Sequence, residues 1–135
     1  MVNRANVEFY QRYDQESLSA ILFVSDQGQP ARMGADLERL VKQARAFMEE
    51  IGRLEEWNGE SVASLLVIMA AREDGHGVMP RFLPSWWRDI EYVWRVYLGP
   101  KPGEYTIQCF RVTCSGPAGW MDDLEKVDWR REAGL

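Results

Sequence analysis

The sequence predicts an α+β domain in which a four-stranded antiparallel sheet, in the order β-β-α-α-β-β, carries two helices packed on one face. Three observations predict it. Val7–Tyr13 alternates with period two and is followed by the β-rich run Leu18–Val24. Apolar residues then recur at helical spacing from Leu37 to Ile51. Finally, Ile90–Leu98 alternates again ahead of a glycine- and proline-rich turn and a second β-rich run, Tyr105–Thr113.

The first two strands read as a hairpin, with Asp14-Gln15-Glu16-Ser17 supplying the turn residues between them. Asp26-Gln27-Gly28-Gln29-Pro30 ends the second strand, because glycine and proline interrupt a ladder. Leu37, Leu40, Val41, Ala44, Phe47, Met48 and Ile51 form one apolar stripe, with Arg39, Lys42, Arg45, Glu49 and Glu50 off it. Asp36 and Glu38 fall in the expected first turn, where the helix dipole favours negative charge. Gly52 and the polar stretch Glu55–Gly59 loosen the chain before the next element. Asn58-Gly59-Glu60-Ser61 offers capping chemistry to a second helix carrying Val62, Leu65, Leu66, Met69 and Ala70. Its three alanines favour a helix over the buried strand that Val67-Ile68 would also allow.

Gly75-His76-Gly77 breaks the chain, and Met79–Trp87 reads as a loop rich in proline and aromatics. The next strand presents Ile90, Tyr92, Trp94, Val96 and Leu98 on one face, and Gly99–Gly103 turns it back. Each such apolar side chain contributes roughly 1.5–3 kcal/mol on burial, so this hairpin anchors the sheet. After the loop Ser115–Gly119, Trp120, Leu124 and Val127 suggest one or two turns of helix, and residues 128–135 are expected to fray. No repeat, low-complexity tract or linker divides residues 1–135, which read as one domain.

With 135 residues, 46% hydrophobic and 27% charged, the chain buries roughly two-thirds of its unfolded surface without a disulfide or metal. The opening octet lacks the apolar centre of a signal peptide. The longest apolar run, Val62–Ala71, is broken by Ser64 and spans about half the ~20 residues that cross a bilayer. A cytoplasmic location is the expectation. Cys109 and Cys114 agree with it: five apart on an extended chain, they point to opposite faces and read as free thiols. A net charge of −5 and a pI near 4.9 disfavour direct contact with nucleic acid.

Chemistry is sparse. One histidine and two cysteines make no common zinc site, and neither HExxH nor CxxC occurs. There is no phosphate-binding GxxxxGK[ST], no GxSxG, and Gly75-His76-Gly77 is too short for a dinucleotide loop. A Cys–His pair between His76 and either cysteine needs hydrogen-bond reach that sequence does not show. Asp89 and Glu91, near Arg88 and Arg95, read first as a paired, half-exposed sheet edge. No catalytic residue, metal site or cofactor is therefore expected.

Two features point outward instead. Glu49, Glu50, Glu55, Glu56 and Glu60 stand against one Arg53, and Asp122, Asp123, Glu125 and Asp128 stand against Lys126. Such runs are ordinarily solvated faces, but the first is also a candidate for docking on a basic partner. Among six tryptophans, Trp94 is core by its alternation. Trp86 and Trp87, in a loop opened by Pro80 and Pro84, do not easily both turn inward; either they cover the sheet or they form an exposed hot spot.

Ala20-Ile21-Leu22-Phe23-Val24-Ser25-Asp26-Gln27-Gly28-Gln29-Pro30, running into Gly34-Ala35-Asp36-Leu37, resembles small uncharacterised proteins of phages and prophages. In those proteins a strand ends in a D-G-Y-P-like turn and a helix opens with G-x-D-L. Asp89-Ile90-Glu91-Tyr92-Val93-Trp94-Arg95-Val96 resembles their later D-I-E-Y-x-Y strand. This sequence departs from the family turn in lacking the tyrosine and a preceding histidine and in carrying one extra residue. The resemblance implies origin on a mobile element and the strand–turn–helix order, not an activity.

The favoured expectation is a non-catalytic, phage-encoded inhibitor of a host defence factor, acting in the manner of an anti-CRISPR. It would dock on a basic host protein surface through the glutamates and Trp86-Trp87, without touching nucleic acid or membrane, as a monomer or homodimer. One rival is a binder of a nucleotide or anion, or an enzyme, using a cleft within residues 77–92 with Arg81, Trp86, Arg88 and Tyr92. The other is a homodimeric structural protein pairing through an edge strand or the aromatic loop.

Overall fold

Alternation along the first strand sets the two faces of the sheet. A computed structural model describes residues 3–11, 14–73, 82–85, 89–115 and 122–135. In chain order the elements are β1 (Ala5–Gln11), β2 (Asp14–Val24), α1 (Pro30–Glu50), a 3-10 turn (Leu54–Glu56), α2 (Gly59–Glu73), β3 (Phe82–Leu83), β4 (Tyr92–Leu98), β5 (Tyr105–Ser115), β6 (Asp122–Val127) and α3 (Trp129–Glu132). Ala5, Val7 and Phe9 of β1 point to one side and are wholly buried. Asn6, Glu8 and Tyr10 point to the other.

The sheet is six-stranded and mixed, in the order β3-β2-β1-β4-β5-β6. This corrects the expected four-stranded antiparallel sheet. β1 and β4 lie side by side in parallel, pairing Val7 with Trp94 and Phe9 with Val96; the other neighbours are antiparallel. Both hairpins were readable because their pairing is local. Which edges of the two hairpins meet is a long-range choice that periodicity does not encode. The extra strands have equally local reasons. Phe82 and Leu83 add only two residues against Val24 and Phe23, too few to show alternation. In place of the expected helical turns, β6 sets Leu124 opposite Val112 and Val127 opposite Cys109, on opposite faces.

Both long helices cover the face that carries Val7, Phe9, Trp94 and Val96, making one core with Leu37, Leu40, Val41, Val62 and Leu66. Pro30 opens α1: its fixed φ suits the first helical position, where no N–H donor is needed. The helix thus begins a turn and a half before the expected start, and its first turn holds no acidic residue; Asp36 instead lies 3.5 Å from Arg39. At the other end Gly52 adopts φ +71°, donating to Glu49 O while Arg53 N–H reaches Met48 O at 2.8 Å. This pair of bonds closes the helix as a Schellman cap, which a side chain with Cβ would strain.

The tail is not frayed. Trp129 is only 4% exposed, its indole N–H donates to Ile107 O at 3.0 Å, and its ring meets Trp94 edge-on at 5.7 Å. It caps β5 just where β6 has ended, satisfying a carbonyl that the ladder leaves open. Trp94, at the centre of the core, donates its own indole N–H to Gly28 O at 2.8 Å.

Candidate functional site

The exposed surface of interest is built at the corner where α1 turns into α2. Three devices fix that corner. The Schellman cap holds Gly52 and Arg53 against the last turn of α1. Trp57 is buried and donates its indole N–H to Glu104 O at 2.8 Å, tying the 3-10 turn to the β4–β5 connection. Asn58 Oδ1 accepts from Ser61 N at 3.0 Å, capping α2 as the sequence predicts.

On this frame Glu49 and Glu50 end α1, and Glu55 and Glu56 occupy the 3-10 turn; all four are exposed. Arg53 stands among them and lies 3.2 Å from Glu56, so one of the four carboxylates is paired and the local charge stays negative. Two further residues emerge here that sequence reasoning assigned to the core stripe: Phe47 is 41% and Ile51 48% exposed. Phe47 and Ile51 are one helical turn apart and share a face. The corner is therefore an apolar pair within a cluster of glutamates. Ala44 and Met48, the neighbours of Phe47 and Ile51 on the apolar stripe, are buried, so the stripe read from the spacing is wider than the strip of α1 that the core covers.

Glu60 stands apart from these four, in the first turn of α2, where it borders a second feature. Ala20, Leu22, Ala63, Val67, Ile68 and Glu60 line a largely apolar groove of about 430 Å³ between α2 and β2. Gly59 seats the start of α2 there; a Cβ on it would stand 2.5 Å from Ser19 Cβ. On the helical wall of the groove Ile68 is 55% exposed; Leu18 and Leu83, opposite Tyr10 and Phe23, are exposed on the other face of the sheet.

Trp86 and Trp87, with Arg81, Arg88 and His76, lie outside the described residues. Of the expected ligand cleft only Tyr92 is described with its side chain among the polar and aromatic candidates; it is half-buried on β4. In the second acidic run Asp128 caps α3 through Arg131 N, and Glu125 is exposed. Asp89 and Glu91 do structural work, not at the expected sheet edge but ahead of the inner strand β4: Arg4 Nη1 lies 2.9 Å from Asp89, and Arg4 N donates to Glu91 Oε2 at 2.7 Å.

The sheet face opposite the helices carries a compact polar and aromatic cluster. Glu8 Oε1 accepts from Arg95 Nε at 3.0 Å and from the Tyr10 hydroxyl at 2.9 Å. Tyr10 stacks on Tyr97 at 5.5 Å, and the Arg95 guanidinium lies over Phe110 at 4.9 Å. Burial first, and the Glu8 charge second, push the Tyr10 hydroxyl up to about 12. Cys109 is buried and free; burial holds its thiol up at about 12, far from a reactive thiolate at neutral pH. Among the described residues no group of histidine, cysteine and carboxylate side chains is placed to hold a metal ion. Nor is any described helix long and apolar enough to cross a membrane.

Neither a protein-family model, a curated protein nor a solved structure matches this chain.

Proposed function

We propose that this protein is a non-catalytic binding protein that docks on the basic surface of a protein partner through the α1–α2 corner. The observation that carries the reading is the exposure of Phe47 and Ile51 beside Glu49, Glu50, Glu55 and Glu56 on a corner pinned by the helix caps and Trp57. An apolar centre that sheds water on contact supplies affinity, while charged groups around it steer encounter and select a partner of opposite sign. The pinned backbone lowers the entropy lost on binding. A host protein whose basic surface otherwise holds nucleic acid suits such a corner; support for the host assignment comes from the likeness to phage proteins.

The test is capture of host proteins on immobilised protein at low and high salt, beside two variants. A partner retained at low salt should be lost at high salt, displaced by added DNA, and lost with Glu49→Gln/Glu50→Gln/Glu55→Gln/Glu56→Gln and with Phe47→Ser/Ile51→Ser. Equal capture by wild type and both variants would overturn the reading.

A further inference from the structure

We infer that the outer edge of β2 is a docking site for an extended segment of a partner protein, which joins the sheet as a strand, lays apolar side chains into the groove beside α2 and sets a basic residue on Glu60. This rests on the reading of the chain as a protein-binding protein and names the form the partner takes.

The backbone carries the argument. β1 occupies one side of β2 from Ala20 to Val24, but β3 covers only Phe23 and Val24 on the other. Beyond Leu83 the chain turns, with Ser85 N–H bonding back to Leu83 O at 2.7 Å. Among the described residues, then, no strand pairs with the outer side of Ala20–Leu22. Alternate residues of such a segment present N–H and C=O groups outward, and these call for a partner rather than a void.

Exposed edges are ordinarily blunted by charge, proline or a bulge. Ala20-Ile21-Leu22 carries neither charge nor proline, and its pairing with β1 is regular, the register shifting only before Ala20, at Ser19. Among the described residues the edge is open in chemistry as well as in geometry. Beside it runs the apolar groove of about 430 Å³, on whose helical wall Ile68 is exposed. A small apolar ligand would fill the groove and leave the backbone groups unmet, and a helix has no spare backbone groups to offer. An extended chain satisfies both, with alternate side chains facing the groove. Glu60 selects its charge: it is exposed at the groove's border and makes no ion pair with a described residue, in a chain of net charge −5.

The test uses the full chain, isotopically labelled, with two synthetic peptides of alternating valine and threonine, one with a central lysine and one with a central glutamate. Amide exchange in Ala20–Leu22 should slow about tenfold or more with the lysine peptide and not with the glutamate peptide. Glu60→Lys should reverse that preference. Ser64→Trp, at an exposed position on the helical wall of the groove, should abolish the protection while leaving the thermal midpoint near wild type. Absence of protection by either peptide, or its persistence in Ser64→Trp, would overturn the inference. Protection that grows with protein concentration in the absence of peptide would overturn it in favour of a second copy at this edge. The four-glutamine corner variant separates the two proposals. It should bind the lysine peptide normally, so failure of the peptide alongside intact salt-sensitive capture overturns the strand site alone.

Discussion

Cys109 and Tyr10 show how single residues couple this fold to pH. Burial raises both groups, from 9.0 to about 12 for the thiol and from 10.0 to about 12 for the phenol. A folded-state value above the unfolded one means that the protonated form contributes stability, fully present below the unfolded value and lost as pH rises towards the folded one. The denaturant midpoint is expected to hold steady below pH 9 and to fall between pH 9 and 12. Cys109→Ala should flatten the lower part of that decline and Tyr10→Phe the upper part, as read by urea titrations across the alkaline range. At neutral pH the native thiol of Cys109 should resist alkylation that denaturant permits. A second test at this scale concerns Gly59. Glycine-to-alanine changes in helices ordinarily stabilise, but here the new methyl would meet Ser19 Cβ at 2.5 Å and Phe9 Cβ at 3.0 Å. Gly59→Ala should therefore destabilise by about 1–3 kcal/mol, measured by chemical denaturation.

Among elements, the two long helices were legible and their ends only partly so. The stripe Leu37–Met48 and the Asn58 cap appear in the sequence because spacing and capping are local properties. Asn58→Ala should accordingly remove about 1 kcal/mol, read as a lowered thermal midpoint. The start of α1 was misplaced because Pro30 reads equally as a strand terminator and as a first helical residue; what decides is the 3-10 and α bonds from Arg32 and Met33 back to Gln29 O. The C-terminal tail failed for another reason. Arg130 and Arg131 looked like a frayed end, yet Arg130 lies over the Trp129 ring at 4.6 Å and pairs with Glu38 of α1. No local pattern announces a partner 92 positions away. Trp129→Ala should cost about 3–5 kcal/mol, whereas deleting a frayed tail would cost almost nothing.

For the whole molecule, the face chemistry of the candidate site was half visible. The glutamates could be counted, but Phe47 and Ile51 carried the signature of core residues, and only the packing of α1, which buries Ala44 and Met48 and leaves these two outside, exposes them. The prediction that belongs here pairs stability with binding. Phe47→Ser/Ile51→Ser should leave the unfolding free energy within about 0.5 kcal/mol, as for surface positions, while abolishing partner capture. A large loss of stability would assign those side chains to packing instead. The β2 edge was hidden in the sequence by its own regularity: Ala20–Leu22 looks like any inner strand, and among the described residues β3 is too short to pair with it.

The parallel seam between β1 and β4 also bears on how the chain is made. Ala5 meets Tyr92 and Gln11 meets Leu98, so the second strand of that seam is synthesised long after the first. Domains emerge amino-terminus first, and pairings distant along the chain close slowly. Until roughly two-thirds of the polypeptide has left the ribosome, β1 has β2 on one flank and bare ladder groups on the other. Truncated or stalled nascent chains ending before Tyr92 should thus be the form of this protein most prone to clump and most in need of chaperones.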